Sequence, residues 1–209
     1  MAKRKKEDLK GYTLDEMLTE TYGQPGTKTR DEAEQRIAAI AKQLPIQRGA
    51  IISECQQYRY KLWRIWDPSK PSVLFIMLNP STADEKEDDP TIRRCMRFAQ
   101  AWGYGGIYVG NLYAFRTKKP AILRQMEKDG VDIVGKQNDE YIKEMCRYSK
   151  LVIFAWGASM QAHHFAKKRM VNMRHFMGTG QLPHILGKSK HGFPSHPLML
   201  KKNVKPTLF

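Results

Sequence analysis

Residues 72–89, SVLFIMLNPSTADEKEDD, decide how the rest of the chain is read. They open with an unbroken apolar run, Val73 to Leu78, rich in β-branched and aromatic side chains. A short run of this kind predicts a strand buried on both faces, as in a parallel sheet covered by helices. It stops at Asn79-Pro80-Ser81-Thr82, where Pro80 lacks an amide donor and pushes Asn79 toward an extended conformation. Ligands of open α/β sheets bind beyond the carboxyl ends of strands, so the polar groups delivered here are candidates for a site.

Upstream, Thr29 and Glu32 have capping-box spacing, and Ala33, Ile37, Ile40 and Ala41 recur at helical intervals. They predict a helix from Arg30 to Gln43. Residues 1–28 mix Lys, Gly, Thr and Pro without periodicity and are expected to form a basic flexible arm, leaving 29–209 as one α/β domain. The stretch AIISECQQYRYKLWRIWD (50–67) reads as two antiparallel lead-in strands. In it Tyr58, Tyr60, Leu62 and Trp66 alternate against Arg59, Lys61 and Arg64.

Downstream, Asp89-Pro90-Thr91 is a helix start: an acidic N-cap followed by proline at the first helical position. Ile92, Cys95, Met96, Ala99 and Trp102 then share one face, while Arg93, Arg94 and Arg97 form a basic outer stripe. A second buried strand, Ile107 to Gly110, ends in Asn111. The loop after it interleaves Tyr113 and Phe115 with Arg116, Lys118 and Lys119, a pattern suited to base stacking beside phosphate pairing. Helices over about 120–128 and 134–147 precede a third strand, Leu151 to Trp156. The turn Gly157-Ala158-Ser159 opens a helix reaching Met173, and Pro183 to Leu186 reads as a fourth strand. Alternating strands and helices imply a three-layer α/β sandwich with a mostly parallel central sheet of about four strands.

The charge is as informative as the pattern. The net charge is +15, and residues 151–209 hold nine Lys or Arg, all six histidines and no acid. So lopsided a distribution gathers polyanions, and nucleic acid is the expected partner ahead of an anionic membrane. The basic start, MAKRKKEDLK, is not followed by an apolar segment and does not read as a secretory signal. No window has the apolar length of a membrane span. Three dispersed cysteines, Cys55, Cys95 and Cys146, suggest reduced thiols in a cytoplasmic protein. A monomer without cofactor is expected.

Four strand ends therefore deliver Asn79, Asn111, Gly157-Ala158-Ser159 and a loop with His191 and His196 to one rim. The order of these pieces resembles the uracil-DNA glycosylase superfamily. FIMLNPS is similar to the Asn-Pro turn of its mismatch-specific branch, YVGNLYAF to its base-reading strand, and LVIFAWGASMQ to the Trp-Gly turn of its uracil branch. HGFPSHPL stands where the His-Pro-Ser loop of that superfamily falls. Through MLNPSTAD, DDPTIRRC, GNLYAFR and PSHPL, the chain most resembles the DUF1643 family over roughly Tyr58 to Leu200.

The resemblance implies a uracil-DNA glycosylase-like fold and hydrolysis of an N-glycosidic bond in DNA. Asn79 stands where the uracil branch has an acid, which points to an unusual or modified base; modified cytosine in phage DNA, met in host defence, is one such substrate. Asn79 would orient water, and Asp84 or Asp88 would supply a carboxylate. Asn111 would read the base edge, with Pro80, Ser81, Tyr113 and Phe115 beside it. His196, with His191 second, would donate to the departing base. Arg93, Arg94, Arg97, Arg116, Lys118, Lys188 and Lys190 would meet phosphates. Two alternatives remain: a non-catalytic nucleic-acid-binding module, and a metal-dependent nuclease or phosphotransferase using the acids at 84–89. Trp156 is expected in the core.

Overall fold

A computed structural model describes residues 14–43, 45–157, 160–178, 180–189 and 192–209. The chain separates into two compact units, Met1–Pro45 and Ile46–Phe209. In the first, α1 (Leu14–Tyr22) and α2 (Lys28–Gln43) are helices. The segment expected to be an arm thus contains a helix, and the division falls after Pro45 instead of at residue 28. Arg30, 2% exposed, joins the two helices. Its guanidinium donates to Asp15 Oδ1 at 2.5 Å, Thr19 Oγ1 at 3.0 Å and Glu34 Oε1 at 2.5 Å.

The second unit is built on one mixed sheet of seven strands. They are β1 (Gln47–Ile52), β2 (Arg59–Ile65), β3 (Ser72–Met77), β4 (Gly106–Asn111), β5 (Ser149–Phe154), β6 (Pro183–Ile185) and β7 (Thr207–Leu208), in the order β1-β2-β4-β3-β5-β6-β7. The β3–β4, β3–β5 and β5–β6 pairs are parallel; β1–β2, β2–β4 and β6–β7 are antiparallel. The expected parallel core of four strands is present, but the sheet is larger and only half its pairings are parallel. The lead-in hairpin joins the sheet through β4, and the terminal residues add an edge strand too short to leave a periodic signal.

Apolar side chains cover both faces of the sheet. On one side Leu74, Ile76, Val152 and Phe154 pack with α5 (Asn138–Tyr148) and α6 (Met160–Phe176). On the other, Val73, Phe75, Ile107 and Ile153 pack with α3 (Pro90–Ala101). Strand β3 is buried at every position, as its run predicts. Helix α3 starts as read: the Asp89 carboxylate accepts from Ile92 N at 2.9 Å, and Pro90 opens the first turn. A shorter helix, α4 (Ile122–Lys128), lies between β4 and α5 in the chain. Cys55 is exposed, Cys95 and Cys146 are buried, and all three are free thiols. Among the described residues no helix is long and apolar enough to cross a membrane.

Strand β2 departs most from the expected alternation. Arg59 and Arg64 are 2% and 0% exposed, not on an outer polar face. An odd and an even position of one strand should point to opposite faces. The register explains the exception: Ile51 pairs with Lys61 and Ile52 with Arg59, so Tyr60 is the extra residue of a bulge that shifts the phase. Both guanidiniums therefore reach the loop after β3. Arg59 Nη1 donates to Ala83 O at 2.8 Å. Arg64 donates to Asp84 O at 2.6 Å and to Asp88 Oδ1 at 2.8 Å, and exposed Arg48 on β1 adds a bond to Lys86 O at 2.9 Å.

Replacing Arg64 by Ala leaves the Asp88 carboxylate without its buried partner and opens a void. We expect a loss of about 3 kcal/mol in denaturant unfolding, against less than about 1 kcal/mol for Arg48→Ala at the surface.

Candidate functional site

A cavity of about 490 Å³ opens at the carboxyl ends of the parallel strands. Its wall takes Asn79 and Ser81 from the loop after β3, Thr117 and Lys118 from the loop after β4, and Trp156 and Gly157 from the end of β5. Ser195, His196 and Met199 close it from the loop after β6, and Asp89 and Thr91 from the start of α3. Arg59, from β2, lies at its base. Four chain-distant strand ends thus meet, because parallel strands deliver all their following loops to the same rim.

Each side chain is held by identifiable contacts. The Asn79 amide nitrogen donates to Pro80 O and Thr117 O, both at 2.9 Å, and Thr117 N donates back to Pro80 O at 2.9 Å. These bonds tie the loops after β3 and β4 together. They spend both amide hydrogens of Asn79, so what it can offer a ligand is its carbonyl oxygen. Gly157 has φ of +91°, and a Cβ there would lie 3.5 Å from His196 Cβ. A left-handed glycine therefore turns the chain out of β5 where the His196 loop packs close.

His196 N-caps a 3-10 turn, Pro197–Met199, its Nδ1 accepting from Leu198 N at 3.4 Å. That bond places the proton of the neutral ring on Nε2. Burial holds the imidazole below its ordinary value near 6.5, and the Asp89 carboxylate opposes the shift. Asp89 is the carboxylate of the cavity wall. Its Oδ1 accepts from Ile92 N, leaving the second oxygen for other partners.

The expected acid, Asp84, does not line the cavity. Its carboxylate accepts from the backbone of Lys86 at 2.8 Å and Glu87 at 2.9 Å, which pulls it below the usual carboxylate range. Asp88 pairs with Arg64. Those acids are committed to shaping their own loop, and among the described residues no three His, Cys, Asp or Glu side chains gather as a metal cluster.

Asn111 is 1% exposed and sits one hydrogen bond behind the cavity, its Oδ1 accepting from Arg59 Nη2 at 3.2 Å. Tyr113 and Phe115 are core residues, not stacking platforms. Tyr113 donates to Phe165 O at 3.1 Å and its phenol is pushed up to about 12 by burial; Phe115 packs edge-on against Tyr58. Past β4 the chain bends at Leu112 and Tyr113, after which Ala114 O accepts from Arg59 N and Phe115 N donates to Ile133 O. Both rings lie in the apolar cluster that α5 and α6 cover. Pro80 and Arg116 do not line the cavity, and Arg116 donates to Gln56 O at 3.1 Å.

Arg93 and Arg97 are exposed and, with Arg94, line a second cleft beside Leu198. Arg94 is already engaged by Leu200 O and the Phe98 ring. Exposed Lys188 lies 5.7 Å over the Phe209 ring. His191, Lys190 and the Ala158-Ser159 turn lie outside the described residues.

Three cavity residues were not legible as such. Arg59 looked like a surface position of an alternating strand and Asp89 like a cap alone, while Trp156 is the core residue expected and lines the cavity as well. The signals present were an arginine beside a phase break and a Trp-Gly pair closing a buried strand.

By NMR the His196 ring should titrate below 6.5, remaining neutral at pH 7. Asp89→Asn keeps the helix cap but removes the opposing charge, so the titration should move lower still. A rise in that variant would mean Asp89 does not face the ring.

The family model described as "Protein of unknown function (DUF1643)" matches residues 59–198, from Arg59 of the cavity base to Leu198 beside His196. No curated protein and no solved structure matches the chain significantly. The matched segment covers more than half the chain, with most of the cavity-lining residues inside it: this protein belongs to the DUF1643 family.

Proposed function

We propose that the protein is a DNA glycosylase-like hydrolase that cleaves the N-glycosidic bond of an unusual or modified base and leaves an abasic site. The observation that carries the reading is the cavity itself. It is large enough to admit a base, sits at the carboxyl edge of the sheet, and is lined by Asn79, Asp89 and His196.

Hydrolysis breaks the bond between C1′ and the base nitrogen, and the bonding pair leaves with the base. Water attacks C1′ and loses a proton. Asn79 Oδ1 orients that water, and the Asp89 carboxylate accepts the proton and faces the positive charge growing on the sugar. Neutral His196 donates from Nε2 to the base as negative charge develops there. The three-layer sandwich of such glycosylases agrees with apolar clusters on both sheet faces.

The surroundings support a nucleic-acid substrate. Exposed Arg93 and Arg97 flank the opening on α3, and Lys118 stands at its wall. Met199 is 84% exposed at the lip, an apolar side chain able to fill the gap left by an extruded base. A non-catalytic base-binding module is the second reading. It draws on the Asn79 amide, whose nitrogen is wholly occupied with holding loops.

Mass spectrometry of bases released from DNAs of differing modification, with alkali cleavage to reveal abasic sites, separates the two. We expect Asn79→Ala and Asp89→Asn to lower release by about 100-fold or more while DNA affinity is kept, and Asp84→Asn to retain most activity. Salt-sensitive binding with no base released from any DNA would establish the non-catalytic reading. Arg93→Ala with Arg97→Ala should reduce the slope of log affinity against log salt by roughly one unit per lost phosphate contact.

A further inference from the structure

Two cavity-lining residues each carry a buried N–H group with no acceptor among the described residues. Arg59 and Trp156 both line the cavity and are 2% and 3% exposed. Arg59 uses Nη1 on Ala83 O and Nη2 on Asn111 Oδ1, but its Nε has no partner among the described residues. No carboxylate lies within ion-pairing distance of its guanidinium among the described residues, although Asp89 contributes favourable charge from farther off. Burial pushes Arg59 down to about 10, which still leaves it a cation at pH 7. The Trp156 indole Nε1 is likewise buried and unpaired. By contrast the indoles of Trp66 and Trp102 donate to Tyr104 O and Val204 O, both at 3.0 Å.

Leaving a buried donor unmatched is costly, and a charged one more so. Native proteins rarely keep such groups unless something else completes them. Asn111 sharpens the pattern. Arginine has no acceptor, so the Asn111 oxygen must face Arg59, and its amide nitrogen is left as another buried donor without a partner. Around the base of the cavity the unmatched groups among Arg59, Trp156 and Asn111 are all donors.

We infer that Arg59 Nε–H and Trp156 Nε1–H form an acceptor subsite that receives a carbonyl oxygen of the substrate base and holds it as the base departs. This rests on the glycosylase reading and names its substrate class: a keto base, presenting oxygen and leaving as an anion, in preference to one presenting only amino hydrogens at that edge. When the C1′–N bond breaks, the electron pair spreads through the ring onto that oxygen, where a cation and an indole N–H await it. The base takes up a proton after release, and the proton lost by water stays on Asp89 until the product leaves. The locked Asn111 amide positions Arg59 from behind.

The same N–H groups would also donate to a phosphate oxygen, so the experiment includes both sources. The full-length protein, labelled with nitrogen-15, has four indole N–H resonances, and Trp156→Phe identifies that of Trp156. Free keto bases (uracil, 5-hydroxymethyluracil, hypoxanthine) and inorganic phosphate are then titrated separately. We expect the keto bases to shift the Trp156 resonance downfield, phosphate to have little effect, and Trp156→Phe to weaken base binding about tenfold or more. Trp156→Phe removes a donor with no acceptor among the described residues, so its thermal midpoint should not fall through a lost hydrogen bond; lost binding in a protein that stays folded is the signature of a subsite.

A resonance indifferent to both probes, or a Trp156→Phe protein binding as tightly as the parent, overturns the subsite. A shift with phosphate alone overturns the keto base as its occupant. The outcome is separable from the glycosylase reading: a protein that releases no base yet shows the keto-base shift keeps the subsite and loses the hydrolysis. One that releases base equally well as Trp156→Phe keeps the hydrolysis and loses the subsite.

Discussion

The loop after β3 depends on two buried guanidiniums. Residues 79–89 are polar and acidic, with little apolar surface to hold them in one shape. Arg59 and Arg64 supply the constraint from beneath, donating to Ala83 O, Asp84 O and the Asp88 carboxylate. Burying a guanidinium is expensive, and these bonds offset the cost by converting a flexible acidic loop into a fixed wall. Fixing that wall in turn places Asn79 at one end of it and Asp89 at the other, where the loop becomes the first turn of α3. The bulge at Tyr60 is what allows both arginines to act on the same loop.

The two arginines are not equivalent. Arg64 is satisfied on every side and carries a carboxylate partner, so its role is complete within the fold. Arg59, a cavity-lining residue, is anchored by its outer nitrogens yet keeps a buried Nε unmatched among the described residues. One pair of residues on one strand thus divides the work, Arg64 shaping the wall and Arg59 facing what the wall encloses. The His196 loop completes the enclosure from the opposite side, pressed against Gly157, with its imidazole kept neutral by burial.

The long-range field and the local chemistry act at different scales. A net charge of +15 draws anions from a distance, and exposed Arg93, Arg97 and Lys118 concentrate that pull near the opening. The cavity itself is lined by a few dipoles and one buried cation, where lower dielectric makes each bond count for more. The outer cations and the cavity's buried donors therefore belong to different residues.

Much of this molecule was legible in one dimension. The apolar runs at 73–78, 107–110 and 151–156, the Asp-Pro start of α3 and the polar residues closing each strand determined the parallel core and the rim where its loops gather. These are local signals: strand burial, capping and backbone restriction act within a few residues. The cavity's chemistry was decided elsewhere. Arg59 turns inward because a bulge changes the phase of β2, and Tyr113 and Phe115 are held in the core against Phe165 and Tyr58. Asp84 closes on its own loop while Asp89 faces His196. Each outcome depends on partners contributed by distant segments, and on the cost of leaving a buried charge or donor unmatched, which exists only once the chain has closed around it.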